Sequence, residues 1–138
     1  MKLSVKGIKA VNASPKTKDY PAFLNDEATK PVRRLHSSLT GYEPTPLVVL
    51  DKLAKELGVK NIYVKDESKR FSMNAFKALG ATYAMARVLC DRLGVSIDEA
   101  DFNYFKSEEV KAKIADLVFV TATDGNHGRA VAWTAQML

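Results

Sequence analysis

At 138 residues with a single cysteine, the chain is the size of one domain and has no disulfide framework. Its 46% hydrophobic and 27% charged residues give an ordinary globular composition, and no stretch approaches membrane-spanning length, so no membrane partner is expected. The net charge of +5 raises nucleic acid as a partner, but the lysines are scattered and no nucleic-acid motif accompanies them; the charge suits a phosphorylated cofactor and an anionic substrate as well.

Residues 1–8 lack the sustained apolar core of a signal peptide, which points to a cytoplasmic location. Residues 1–41 read as an N-terminal arm followed by a helix. Over 12–21 the arm carries Pro15 and Pro21 among lysines and a serine, an exposed extended pattern. Residues 22–38 then offer a helix entered near Pro31, with Val32, Leu35 and Leu39 at helical spacing. Gly41, Pro44 and Pro46 break that pattern, and 42–138 form the main α/β unit. A second helix is expected over 47–57, with Leu50, Leu53, Ala54 and Leu57 on one face and Gly58 as its C-cap.

A short apolar strand follows at 62–65. The helix after it spans 74–93, with Ala75, Leu79, Thr82, Tyr83, Ala86, Leu89, Cys90 and Leu93 on one stripe and Gly94 at its end. Cys90 falls on that apolar stripe and reads as core. Its length suits the right-handed crossover of a βαβ unit. Residues 95–113 read as an insertion with one or two short helices, capped at Ser96 and Ser107. Phe102, Tyr104 and Phe105 pack it against the domain. A continuous apolar run at 117–121 is the second expected strand, parallel to the first. The last helix, 126–138, leaves Trp133, Met137 and Leu138 without cover, and two parallel strands are too few for an independent sheet, so the chain reads as truncated or completed by another polypeptide.

Two of these junctions carry chemistry. Within 61–77, Asn-Ile-Tyr-Val-Lys-Asp-Glu-Ser-Lys-Arg-Phe-Ser-Met-Asn-Ala-Phe-Lys, a strand feeds a polar loop, and the loop feeds a helix opening near Asn74. Lys77 falls in the first turn, where the positive end of the helix dipole disfavours an ammonium. Broken local rules concentrate at functional sites, and only a neutral lysine amine attacks a carbonyl carbon. A solvated helix lysine is the plainer reading of Lys77 alone. The second junction, Ala122-Thr123-Asp124-Gly125-Asn126-His127-Gly128, repeats the strand–loop–helix order, and its backbone N–H groups from Thr123 to His127 suit a substrate carboxylate. Thr123, Asp124, Gly125 and His127 are therefore the candidate substrate-binding residues. Both loops sit at the carboxyl ends of strands, where open parallel α/β sheets bind ligands.

On Lys65-Asp66-Glu67-Ser68, Arg70-Phe71, Asn74-Ala75-Phe76-Lys77-Ala78-Leu79-Gly80, and Thr121 to Arg129 with Val131-Ala132-Trp133, the chain resembles the N-terminal third of the fold type II pyridoxal-phosphate enzymes, the tryptophan-synthase β family. Within that family it is most similar to the ammonia-lyases of 2,3-diaminopropionate. The resemblance implies a partial three-layer αβα sandwich with parallel strands, a homodimer when full length, and pyridoxal 5'-phosphate as cofactor with no metal. It implies that Lys77 holds the cofactor covalently and moves the substrate α-proton, and that Asn126 hydrogen-bonds the cofactor's 3-oxygen. His127 and Arg129 are weaker candidates, expected to pack or to support. The family's glycine-rich phosphate loop and the residue facing the pyridine nitrogen are absent from the seven glycines and 138 residues, so the chain alone is expected to hold the cofactor poorly.

Asp124 departs from the small residue common at that position. It can be a helix N-cap and nothing more. Beside a substrate with a cationic β-amino group, its carboxylate gains a second use, and across the substrate plane from Lys77 it can take the α-proton of the opposite enantiomer. The implied reaction is α,β-elimination of 2,3-diaminopropionate to pyruvate and ammonia, with Lys77 serving the L-isomer and Asp124 the D-isomer. A serine or threonine dehydratase and a non-catalytic binding module are the alternatives.

Overall fold

A computed structural model describes residues 21–123 and 125–138; most of the arm expected over 12–21, and Asp124, lie outside the described residues. Helix α1, Asp26–Ser37, is entered at Asn25, not near Pro31. The Asn25 side chain accepts from the Ala28 N–H at 2.9 Å, satisfying an orphan donor and fixing the start one residue before Asp26 and Glu27. Pro31 therefore sits inside the helix, where it omits one backbone hydrogen bond.

The helix expected over 47–57 divides in two. Leu47–Val49 form strand β1, and Asp51–Leu57 form helix α2, closed as expected by a left-handed Gly58 with φ 67°. Pro44 and Pro46 hold the preceding chain extended, and Val48 and Val49 favour strand over helix. The expected strand at 62–65 appears as β2, Tyr63–Lys65, which pairs antiparallel with β1 in the register Leu47↔Lys65, Val48↔Val64, Val49↔Tyr63.

The expected parallel pair is thus not formed among the described residues, and in place of the three-layer sandwich there is a helical body with a small, exposed two-stranded sheet. Residues 117–121 take no hydrogen-bonded strand there, yet they keep a strand's alternation. Val118 and Val120 are 82% and 89% exposed, while Leu117 and Phe119 pack against the core.

Helix α3, Lys77–Leu93, starts three residues later than the sequence pattern suggests, because Ser72 and Asn74 hold positive φ, which no right-handed helix admits. It ends at Gly94 with φ 68°. The insertion carries α4, Phe102–Phe105, and α5, Glu108–Ile114. Ser107 caps α5 as expected, whereas Asp101 caps α4 and Ser96 closes a local turn by accepting from the Asp98 N–H at 3.1 Å. The last helix is α6, Asn126–Met137.

The main core joins Leu35 and Leu39 from the end of α1, Ala86, Leu89 and Cys90 from α3, and Phe102, Phe105 and Val110 from the insertion. Burial of these side chains is worth about 1.5–3 kcal/mol each for the large ones. Polar ties fix α1 to the insertion: Arg34 donates to the Ile97 and Ala100 carbonyls, and the Phe102 N–H donates to Ser38 Oγ at 2.9 Å. A second cluster of Met73, Ala78, Ala81 and Ala130 lies at the other end of α3.

These clusters define how α3 and α6 run. Ala78 and Ala81 meet Ala130 at the start of both helices, and Leu89 shares a cavity wall with Ala135 and Leu138 near the end of both. The two helices therefore lie side by side in the same sense, with alanines at the contact allowing close approach, and their N-termini share one end of the molecule.

Candidate active site

The first site loop leaves β2 at Lys65. Asp66 accepts from the Ser68 N–H at 3.1 Å and from its hydroxyl at 2.5 Å, starting a 3-10 segment, Glu67–Ser72. Those two bonds hold the Asp66 carboxyl below the usual carboxylate range. Arg70 is only 5% exposed although charged, so its guanidinium must be fully engaged. It donates to both Glu67 carboxylate oxygens, at 3.0 and 3.1 Å, and to the Glu43 carbonyl at 2.7 Å. Thr45 donates to Glu67 Oε1, and Lys65 reaches the Thr45 carbonyl. The Arg70 guanidinium keeps the Glu67 carboxyl below its ordinary pKa.

After Arg70 the backbone enters left-handed conformations at Phe71 (φ 47°), Ser72 (φ 56°) and Asn74 (φ 56°). None of these is glycine, and an aromatic residue in that region is uncommon. The chain then turns into α3 with Lys77 as its first residue and no side-chain cap. Lys77 is exposed, its Nζ lies 4.6 Å from the Phe76 ring centroid, and it pairs with no carboxylate among the described residues.

Lys77 is also bracketed from its far side. The His36 ring donates from Nε2 to the Leu79 carbonyl at 2.8 Å, and burial pushes the His36 pKa down, keeping the ring neutral. That ring stacks on Tyr42 at 6.2 Å, Arg70 lies 5.3 Å from the Tyr42 centroid and 5.7 Å from Phe71, and Phe71 meets Trp133 of α6 at 4.9 Å.

In the second loop, Thr123 Oγ1 accepts from the Gly125 N–H at 3.2 Å and the Gly128 N–H at 2.8 Å. The Gly125 amide, expected to face a substrate carboxylate, is thus given to Thr123. A Cβ on Gly128 would stand 2.1 Å from Thr123 Cγ2, so the glycine makes room for this cap. Gly125 itself, at φ 154° and ψ −105°, occupies backbone space reserved for glycine. Asn126 opens α6 and is exposed, as are His127 and Arg129. Asp124 is outside the described residues.

The parallel run of α3 and α6 brings Lys77 and Asn126 to the same end of the helix pair, each as the first helical residue after a site loop. A cavity of about 580 Å³ between the start of α1 and Tyr83 and Arg87 lies elsewhere, lined by neither residue. Among the described residues no group of three His, Cys, Asp or Glu suits a metal ion, and no helix is long and apolar enough to cross a membrane.

The pyridoxal-phosphate dependent enzyme family matches residues 39–138, which include both loops. The chain belongs to this family. It is 49% identical over 118 residues to diaminopropionate ammonia-lyase of Escherichia coli K12, covering 86% of this chain and 28% of that protein. The crystal structure of the E. coli enzyme in apo form superposes with a TM-score of 0.77 at 45% identity, covering 88% of this chain and 32% of the other. The same enzyme in complex with an aminoacrylate–PLP azomethine reaction intermediate gives a TM-score of 0.74 at 44% identity, covering 88% and 29%. The chain thus spans less than a third of the length of the relatives it matches.

The donor set at the helix starts fits pyridoxal phosphate in part. An exposed primary amine without a carboxylate partner among the described residues suits the cofactor's aldehyde carbon, and the neutral Asn126 amide suits its 3-oxygen. No described loop offers the clustered glycine amides that a phosphate needs. Sequence reasoning missed the Arg70 cluster and the His36 bond to Leu79. The Glu67–Arg70 spacing was a legible hint, since residues three apart meet on a helical turn.

Proposed function

We propose that the full-length protein is a pyridoxal-phosphate-dependent ammonia-lyase acting on 2,3-diaminopropionate. The observation that carries this reading is the 49% identity with diaminopropionate ammonia-lyase over 118 residues, beside a family match over 39–138 that includes both loops. The parallel α3 and α6, with Lys77 and Asn126 at one end, support a common site for the two residues.

In this reading Lys77 holds the cofactor through its amine, and Asn126 donates to the 3-oxygen. The bound cofactor supplies an electron sink that acidifies the substrate α-carbon. Lys77, its amine freed once the substrate's own amine has replaced it on the cofactor, would take the α-proton of the L-isomer, and Asp124 would take that of the D-isomer from the opposite face. Gly125 and His127 amides receive the substrate carboxylate if Thr123 yields its hydrogen bonds. Loss of the β-amino group as ammonia gives 2-aminoacrylate, and water converts this to pyruvate and a second ammonia. In the full-length fold, 117–121 joins a parallel sheet and completes a three-layer sandwich, a reading supported by the exposed Val118 and Val120 beside inward Leu117 and Phe119. A cytoplasmic homodimer without nucleic-acid or membrane partners belongs to the same proposal.

The test is pyruvate release by the full-length protein from each enantiomer of 2,3-diaminopropionate and from serine and threonine. Asp124→Asn is expected to lower D-isomer turnover by about 100-fold or more while sparing the L-isomer. Equal losses for both isomers remove the second-base role, and a wild type that prefers serine or threonine is a dehydratase instead.

A further inference from the structure

We infer that Arg70 is a positioning residue for Lys77, holding the lysine's loop in a conformation that the loop does not favour by itself. The inference rests on the proposed role of Lys77 as the cofactor lysine. Three left-handed non-glycine residues in four, Phe71, Ser72 and Asn74, cost free energy that the surrounding structure has to offset. Arg70 stands immediately before them, where the 3-10 segment breaks with ψ 111°.

Its side chain ties its own turn to the segment at Tyr42 and Glu43. The fork closes on Glu67 of its own turn, the Nη1 side reaches the Glu43 carbonyl at 2.7 Å, and the plane lies against Tyr42 and Phe71. Its carbonyl accepts from the Met73 N–H at 2.8 Å, and buried Met73 packs with Ala78, the residue after Lys77. The grip continues on both sides of the lysine. Tyr42 stacks on His36, which bonds the Leu79 carbonyl two residues past Lys77, and Phe71 packs at a tilt against Trp133 of α6, the helix that opens with Asn126.

A planar, five-donor guanidinium can satisfy the Glu67 fork and the Glu43 carbonyl together, and a lysine ammonium cannot. Arg70→Lys therefore keeps the charge and loses the geometry. The effect on Lys77 is expected in the reaction of its amine with the cofactor aldehyde, not in whether the protein folds.

The test uses the full-length apoprotein mixed with pyridoxal phosphate, with growth of the lysine-bound cofactor absorbance band and its circular dichroism followed in time. Arg70→Lys is expected to slow the band's growth at least about tenfold and to weaken its dichroism, with far-ultraviolet dichroism unchanged. Thr45→Val and Glu67→Gln, which each remove one side of the same cluster, are expected to give smaller slowing, and they decide the matter if Arg70→Lys does not fold. Wild-type rate and dichroism in all folded variants overturn the inference. A wild type with no band, or Lys77→Ala with an unchanged band, overturns instead the reading of Lys77 on which the inference rests.

Discussion

The Thr123 hydroxyl and the bare Cα of Gly128 act as one cap at the start of α6. Gly128→Ala puts a methyl group where the Thr123 methyl already sits, and is expected to cost about 1–2 kcal/mol by expelling the hydroxyl from the two glycine amides, read as a lowered midpoint in urea unfolding. His36 gives the chain a pH response of defined sign. Burial lowers its pKa from 6.5, so near that pH the unfolded chain binds more protons than the folded one. The contribution is complete above 6.5 and is lost as pH falls through the lower folded value. Melting temperature is expected to fall as pH drops below 6.5, and His36→Gln is expected to flatten that slope. Glu67 adds a further loss below 4.5, since its folded pKa is also lowered and it must be protonated against Arg70.

At the scale of elements, the seam between α3 and α6 is built from small side chains, and it tolerates change unequally along one turn. Ala81 is buried at the seam, so Ala81→Leu overpacks it and is expected to cost about 1–3 kcal/mol in chemical denaturation. Gly80, one residue earlier, has open space where a Cβ would go, and Gly80→Ala is expected to stabilise by about 0.5–1 kcal/mol. A reversed pair of signs contradicts the described helix faces. The amphipathic stripe of α3, the Gly58 and Gly94 caps and the Ser107 cap were legible in the sequence because each depends on residues within a turn or two. The β1–β2 pairing was not, since the helical face from Leu50 to Leu57 invited extension back to Leu47, and the strand is completed only by its distant partner Tyr63–Lys65. Residues 117–121 show the converse. Their apolar run was readable, but a strand is completed by a neighbour, and none is present among the described residues.

For the molecule as a whole, a helical body carries a sheet whose strand residues are exposed throughout, and a site assembled where two parallel helices begin. Lys77 and Asn126 were singled out as candidates from sequence through their motifs. The groups that hold Lys77's loop were not, because Arg70, Thr45, Tyr42 and His36 come from segments far apart in the chain and meet only on folding. The proposed activity requires Lys77 to be the residue that carries the cofactor. The most direct measurement is borohydride reduction of the full-length protein loaded with pyridoxal phosphate, followed by mass spectrometry of its peptides. A pyridoxyl adduct on Lys77 is the predicted result; an adduct confined to another lysine, or none at all, contradicts it.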